Sequence, residues 1–362
     1  MSEKIRGLKS GILIFTVITF LSLTLILLFN PASGGLNNFQ KVYEALRQMK
    51  AWYLVWTMLI TIAALVLSAY RRQLLAKGVD KKLRFGPAMT VVLGYEFMSA
   101  ITPFGGGGQP LEVWILKKNG ISLGKGIVIS YMNTATMIIV LFITGPIALF
   151  FYPSIVHGYT IPTFIAYGMI FLLYFIILTF LSVFKPKFAK RVTNWILRVA
   201  KKIRLVKQHK FYSTLKHALK EINTFNHHIR EYFSGRILLL LYIILVTFIT
   251  YAVKWLATFT ICLAFGLYVD PLLLIFAQMF ILFANYSIPT PGGSGTSEIL
   301  ALSVFAKLMP GFEIITMTLW RFFTFHLVFL IGIMPSLKVL HLKEKEAHLL
   351  ATDIPKKNGS VA

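Results

Sequence analysis

Six stretches of this chain, residues 12–29, 52–69, 127–151, 162–184, 237–265 and 314–335, run for 18 residues or more with few or no charges. An α-helix rises about 1.5 Å per residue, so each is long enough to cross roughly 30 Å of hydrocarbon. Buried helices of a large soluble protein are the competing reading. It fails on composition: only 14% of residues are charged, against about a quarter in a soluble domain, and that leaves too little polar surface. The first run follows Lys4, Arg6 and Lys9 and precedes "NPASGG", as a signal peptide does. It is longer than the apolar core of about 7–15 residues that a signal peptide carries, so a retained helix is expected. Cys262 is alone and lies in an apolar run. It allows no intramolecular disulfide and is a poor reactive thiol.

Charge orients these spans. The 37 Lys and Arg outnumber 13 Asp and Glu, and the excess collects at residues 4–9, 71–84, 117–125 and 185–236 and in the tail from Lys338. By the positive-inside rule these segments face the cytoplasm, as do both termini. The charge follows the loops of a membrane topology, which disfavours nucleic acid as its partner. Segment 85–116 then has to enter and return on the cytoplasmic side, and segment 271–311 on the outer side. The expected fold is an all-α polytopic membrane protein of about six spanning helices plus two re-entrant hairpins, 85–116 and 271–311, in an inverted-repeat arrangement. It forms a single integral membrane domain over residues 1–350, with a disordered tail at 351–362.

The hairpins carry the two least oily motifs of the chain, "SAITPFGGGGQPLE" from Ser99 and "SIPTPGGSGTSE" from Ser287. They resemble one another, each with Ser, Thr-Pro, glycines and a Glu. Irregular backbone at membrane depth is tolerated only inside protein or beside a wet cavity, and paired broken segments in two halves point to a transporter's binding site. Ordinary turns between short helices are the plainer alternative. In that case Gln109, Pro110 and Glu112 read as N-cap, N1 and N3, and Thr296 and Glu298 as N-cap and N2. Either way helix N-termini aim at the tips, where they favour anions.

Ionisable residues inside the spans are costly and therefore functional candidates. Arg321 either snorkels to the outer interface or pairs with Glu298 or a ligand phosphate, the second being preferred. Lys254 sits mid-span, where snorkelling is harder, and is expected to pair or to act. Glu96 divides evenly between structure and function. Asn133, Gln278, Asn285 and His326 read as interhelical hydrogen-bonding residues. In the loop 185–236, apolar residues from Phe188 to Ile203 and from Phe211 to Phe233 recur at helical spacing opposite Lys, Arg and His. Such basic amphipathic helices lie in the interface and bind anionic lipid headgroups. Residues 37–51 form a shorter interfacial segment of this kind on the outer side. His209, His217, His227 and His228 lack a carboxylate or Cys partner set, so no metal is expected. No cofactor is implied, and no nucleotide-binding, zinc-protease or nucleophile-elbow motif is present.

"TPFGGGGQPLEVWILKKNGISLGKG", "IPTPGGSGTSE" and the following "LWRF" resemble the transmembrane region of bacterial lysylphosphatidylglycerol synthases, the multiple peptide resistance factors. The resemblance covers residues 11–335. It implies a flippase-like membrane region that moves an aminoacylated phospholipid between leaflets of the bacterial cytoplasmic membrane. The alternative is a membrane component of lysyltransferase-type lipid modification with a separate synthase as partner, or a non-transporting regulator. It implies substrate-binding roles for Pro291, Gly292, Gly293, Gly295, Glu298 and Arg321, and for Pro103, Gln109 and Glu112. Glu96, Glu112 and Glu298 suit the amines of a lysylated lipid, and Arg321 its phosphate. Two departures stand out. The chain ends 27 residues after position 335, so the tRNA-dependent synthase domain is not expected. In addition, the span after the first hairpin offers only Asn133 where many relatives carry an Arg.

Overall fold

The computed structural model describes residues 37–151, 211–285 and 290–352, with scattered positions between 173 and 198. The described elements are helical: α1 Asn37–Gln48, α2 Trp52–Lys77, α3 Phe85–Ile101, α4 Gly108–Lys118, α5 Leu123–Phe151, α6 Phe211–Ser234, α7 Ile237–Ala264, α8 Pro271–Asn285, α9 Thr296–Leu308, α10 Glu313–Arg321 and α11 Leu327–Thr352. Four described segments are long and apolar enough to cross a membrane: Trp52–Lys77, Leu123–Thr144, Ile237–Ala264 and Glu313–Leu340. They coincide with four of the six expected spans. The other two, at 12–29 and 162–184, lie outside the described residues, as does most of the basic stretch 185–210. α11 continues through Thr352, past the start expected for the tail.

α2 and α7 pack along each other. The hydroxyls of Thr57 and Thr260 lie 2.8 Å apart and buried, and those of Tyr70 and Tyr242 meet at 3.1 Å. Small polar residues of this kind hold helices together where lipid removes the hydrophobic driving force. The outward face of the pair keeps Val55, Trp56, Leu59, Leu238, Leu241 and Leu245 exposed, an apolar surface suited to acyl chains. α2 runs eight residues beyond the apolar run that announced it. Arg71 and Arg72, expected in a cytoplasmic loop, are therefore inside a helix, each only 3% exposed.

Two helical hairpins interrupt this frame. α3 packs on α4, and α8 on α9. Each break begins the same way. Thr102 and Thr290 precede prolines and are extended, at φ −118° ψ 143° and φ −75° ψ 146°. Proline's ring disfavours helical backbone at the residue before it. A single 3-10 turn follows, Pro103–Gly105 and Pro291–Gly293. In the first tip Gly105 N–H donates to Thr102 O and Gly106 N–H to Pro103 O. In the second, Gly293 N–H donates to Thr290 O and Ser294 N–H to Pro291 O. The two tips touch. Gly292 sits in a tight seam: at φ +61° a Cβ there would lie 2.4 Å from Phe325 Cζ and 3.2 Å from the carbonyl oxygen of Ala100 near the end of α3. α11 closes over α3, with Gly332 so near that a Cβ would lie 2.8 Å from Leu93 O.

α6 spends part of its apolar face on the protein. Ile229 and Tyr232 are fully buried against α2 and α5, and the Tyr232 hydroxyl donates to Leu75 O at 2.6 Å. Burial raises that phenol's pKa above its ordinary value. Beside it, Arg236 bonds Asp80 at 2.6 Å and holds the carboxyl below the usual carboxylate range. Glu231 approaches His228 at 2.6 Å and His227 at 3.6 Å, with donor atoms of all three within 4.8 Å of one another. The expectation that these histidines lack a carboxylate partner is corrected: Glu231, one helical turn away, supplies it.

Candidate functional site

Behind each tip lies a buried carboxylate on the first turns of the returning helix, and each carboxylate meets an arginine. In the second half, Glu298 is completely buried. Its Oε1 accepts from Arg321 Nε at 2.9 Å and its Oε2 from the Gly295 N–H at 2.7 Å. Gly295 is thus the N-cap of α9 and Glu298 its N3, one residue earlier than Thr296 and N2. Arg321 Nη2 donates to Gly292 O at 2.7 Å, and its guanidinium stacks 4.0 Å from the Phe325 ring centre. One arginine therefore ties the acid to the tip's own backbone. Of the two expectations for Arg321, snorkelling is excluded by its 5% exposure and pairing is what the chain forms. Trp320, next along the helix, donates to Gln278 Oε1 at 2.9 Å, and Gln278 Nε2 to Trp255 O at 2.9 Å. This chain fixes α10 against α8 and α7.

Directly after Arg321 the span leaves α-helical geometry for a π turn, Phe322–His326. Such one-turn π segments recur at functional sites.

In the first half, Glu112 is also completely buried. Oε1 takes Arg72 Nε at 3.2 Å, and Oε2 takes the Ser130 hydroxyl at 3.1 Å. The helix starts after Gly107, so Gln109 and Glu112 do not form the expected cap. Gln109 instead donates to Thr134 at 3.2 Å, and Glu112 turns inward. Arg72 lies 5.6 Å from the Tyr95 ring centre and Arg71 5.5 Å from that of Tyr251. Arg71 also donates from Nη2 to Asn133 Oδ1. The span before the first hairpin thus brings two arginines to this cluster, Arg71 to Asn133 and Arg72 to Glu112. Sequence reading missed both because they border a basic segment. The signal was available in the unbroken helical pattern that runs to Lys77.

Pro103 is exposed at the first tip, and Pro291, Gly293 and Gly295 are half-buried at the second. Glu96 and Lys254 are half-buried, and among the described residues neither joins an ion pair with either cluster. Asn285's side chain is outside the described set.

These features define a polytopic α-helical membrane protein with two broken helical hairpins meeting tip to tip over buried Arg–Glu pairs. The chain matches the family described as the lysylphosphatidylglycerol synthase TM region over residues 11–332, and it belongs to that family. Within these 362 residues it is the family's membrane region that is present, and the catalytic synthase domain is not among them. It is 25% identical over 286 residues to a UPF0104 membrane protein of Archaeoglobus fulgidus, an alignment covering 75% of this chain and 82% of the relative. No solved structure matches.

Proposed function

We propose that this protein is the membrane component of lysylphosphatidylglycerol-type lipid handling. Its own step is to take a phospholipid headgroup in at the paired tips and pass it between leaflets. Membership in a synthase-region family supports the first part. The observation that carries the second is the tip-to-tip contact of two Thr-Pro-broken hairpins above fully buried Glu112 and Glu298. On this reading the hairpins are re-entrant from opposite faces, as the positive-inside argument requires, and both termini are cytoplasmic. Gly292, Gly293 and Gly295 let the second tip open a path beside Arg321, and Pro103, Pro291 and Gln109 shape its rim. Glu96 and Lys254, half-buried and outside the ion pairs, line the route of the headgroup. The basic face of segment 185–236 holds anionic lipid at the cytoplasmic mouth.

The test uses purified protein in liposomes that contain labelled lysylated phosphatidylglycerol, with headgroup amine exposure read by an impermeant reagent. Wild-type protein should change the leaflet distribution, and Glu298→Gln and Arg321→Ala should not. Unchanged distribution for this and other phospholipids would leave the membrane-component part and remove translocation. Synthesis of lysylphosphatidylglycerol from charged tRNA by this chain alone would overturn the assignment of chemistry to a separate synthase.

A further inference from the structure

The two clusters differ in charge balance. Arg321 and Glu298 form a neutral pair. In the first half two buried arginines share one buried carboxylate, and that carboxylate is committed to Arg72 and Ser130. Arg71 is left 3% exposed, with Nη2 on Asn133, the Tyr251 side chain and the more distant Glu112 charge as its other polar neighbours, and no acceptor in hydrogen-bond geometry on the buried Nε and Nη1. Three of its five N–H donors are on those two nitrogens. No described carboxylate pairs with it, and residues 152–210 contain no Asp or Glu. A buried cation without a counter-charge is costly, and the uncharged neighbours Asn133 and Tyr251 do not supply one. Arg71 stands six residues before the end of α2, about 9 Å along the helix axis. Its side chain leans back toward the helix N-terminus, which takes it further from that end.

We propose that Arg71 is an anion site for the phosphate of a lipid headgroup, a single phosphodiester charge completing the Arg71–Arg72–Glu112 cluster. This deepens the reading above by naming the group the first half holds, and it rests on that reading for the lipid as its source. A phosphodiester brings one negative charge, matching the excess of one, and oxygens enough for the free Nε and Nη1 donors.

The experiment measures ligand retention on the purified, delipidated full chain by native mass spectrometry. It compares phosphatidylglycerol with diacylglycerol, which lacks the phosphate, and uses inorganic phosphate as a third arm, followed by thermal shift. Wild type should retain phosphatidylglycerol over diacylglycerol. Arg71→Gln, which keeps a donor for Asn133 but no charge, should weaken that retention at least tenfold. Arg71→Lys should keep part of it. In lipid-free detergent Arg71→Gln should melt no lower than wild type, since it removes an unpaired buried charge. Unaltered retention in Arg71→Gln overturns the proposal. So does a large fall in its lipid-free melting temperature, because the charge would then be satisfied within the protein. A response to inorganic phosphate alone would overturn the lipid as source. Retention needs no translocation, so lipid held through Arg71 without leaflet exchange sinks only the translocation reading. Exchange at the wild-type rate in Arg71→Gln sinks only the site.

Discussion

Glu112→Gln is expected to be among the most damaging single changes in the chain, and the structure sets its size. Arg72 Nε and Glu112 Oε1 are 3.2 Å apart, an attraction of about 5 kcal/mol at an effective dielectric of about 20. The change leaves Arg72 in place and still buried, so its desolvation is not recovered. Removing one partner of a buried pair costs about 3–5 kcal/mol, and the upper end applies because Arg71 adds a second uncompensated cation on the same turn. Gln retains an acceptor for Ser130. Leu does not, and Glu112→Leu should cost about 1 kcal/mol more for the orphaned hydroxyl. The double change Arg72→Met with Glu112→Leu removes both charges and should return stability to within about 1 kcal/mol of wild type. Equilibrium unfolding in mixed micelles, followed by far-ultraviolet circular dichroism, reads all three. A loss of 3 kcal/mol is more than a hundredfold in the folding constant, at about 1.4 kcal/mol per decade. The reasoning fails if Glu112→Gln stays within 1 kcal/mol of wild type, or if the double variant is as unstable as the worse single one.

Four further outcomes are expected. Gly292→Ala should destabilise by more than about 1 kcal/mol through its left-handed backbone alone and should abolish leaflet exchange by pushing the second tip off Phe325 and the end of α3; wild-type exchange would contradict the role of this seam. Tyr232→Phe should cost about 1 kcal/mol, the net worth of one hydrogen bond to Leu75 O, in the same unfolding assay. Asp80's carboxyl is depressed by Arg236, so its contribution is present above the unfolded carboxyl pKa and fades as pH falls through the folded one. The difference between the melting curves of wild type and Arg236→Gln should therefore be largest at neutral pH and shrink as pH falls below about 4, leaving the part owed to the Arg236 bond to Lys77 O. Lys118→Cys and Gly311→Cys, both exposed at the far ends of the two hairpins, should label from opposite faces of the membrane; labelling from one face would remove the inverted arrangement.

The second cluster was legible because its parts are conspicuous against oil. A Pro-Gly-Gly run, a Glu beyond it and an arginine inside an apolar span each break the local pattern. The likeness of Thr102-Pro103 to Thr290-Pro291 also translated into the same pair of turn hydrogen bonds, although the second turn passes through a left-handed Gly292. The first cluster was concealed by position. Arg71 and Arg72 follow the last purely apolar residue of their run, where hydropathy ends a span and charge counting starts a loop. Helical geometry ignores that boundary and carries them inward. Glu112 was found with the wrong partners, since a carboxylate three residues past a Gln-Pro reads as a cap unless the inward-facing Ser130 and Arg72 are known. Tyr232 was missed in the same manner. The amphipathic face of α6 was legible, but whether it meets lipid or protein is a tertiary matter that periodicity does not carry.

The π turn at Phe322–His326 sets the phase of everything after it. A π segment accommodates one more residue than the α-helical ladder, and one residue is about 100° of rotation. Arg321 faces Glu298 before the turn, while Phe329 and Gly332 face α3 after it. An uninterrupted helix would send one of these groups to the wrong side. Deleting Thr324 should regularise the helix and keep Gly332 against Leu93, whereas deleting Leu330 from the regular helix beyond the turn should swing Gly332 off Leu93 and bring a residue with a side chain to a seam that has no room for one.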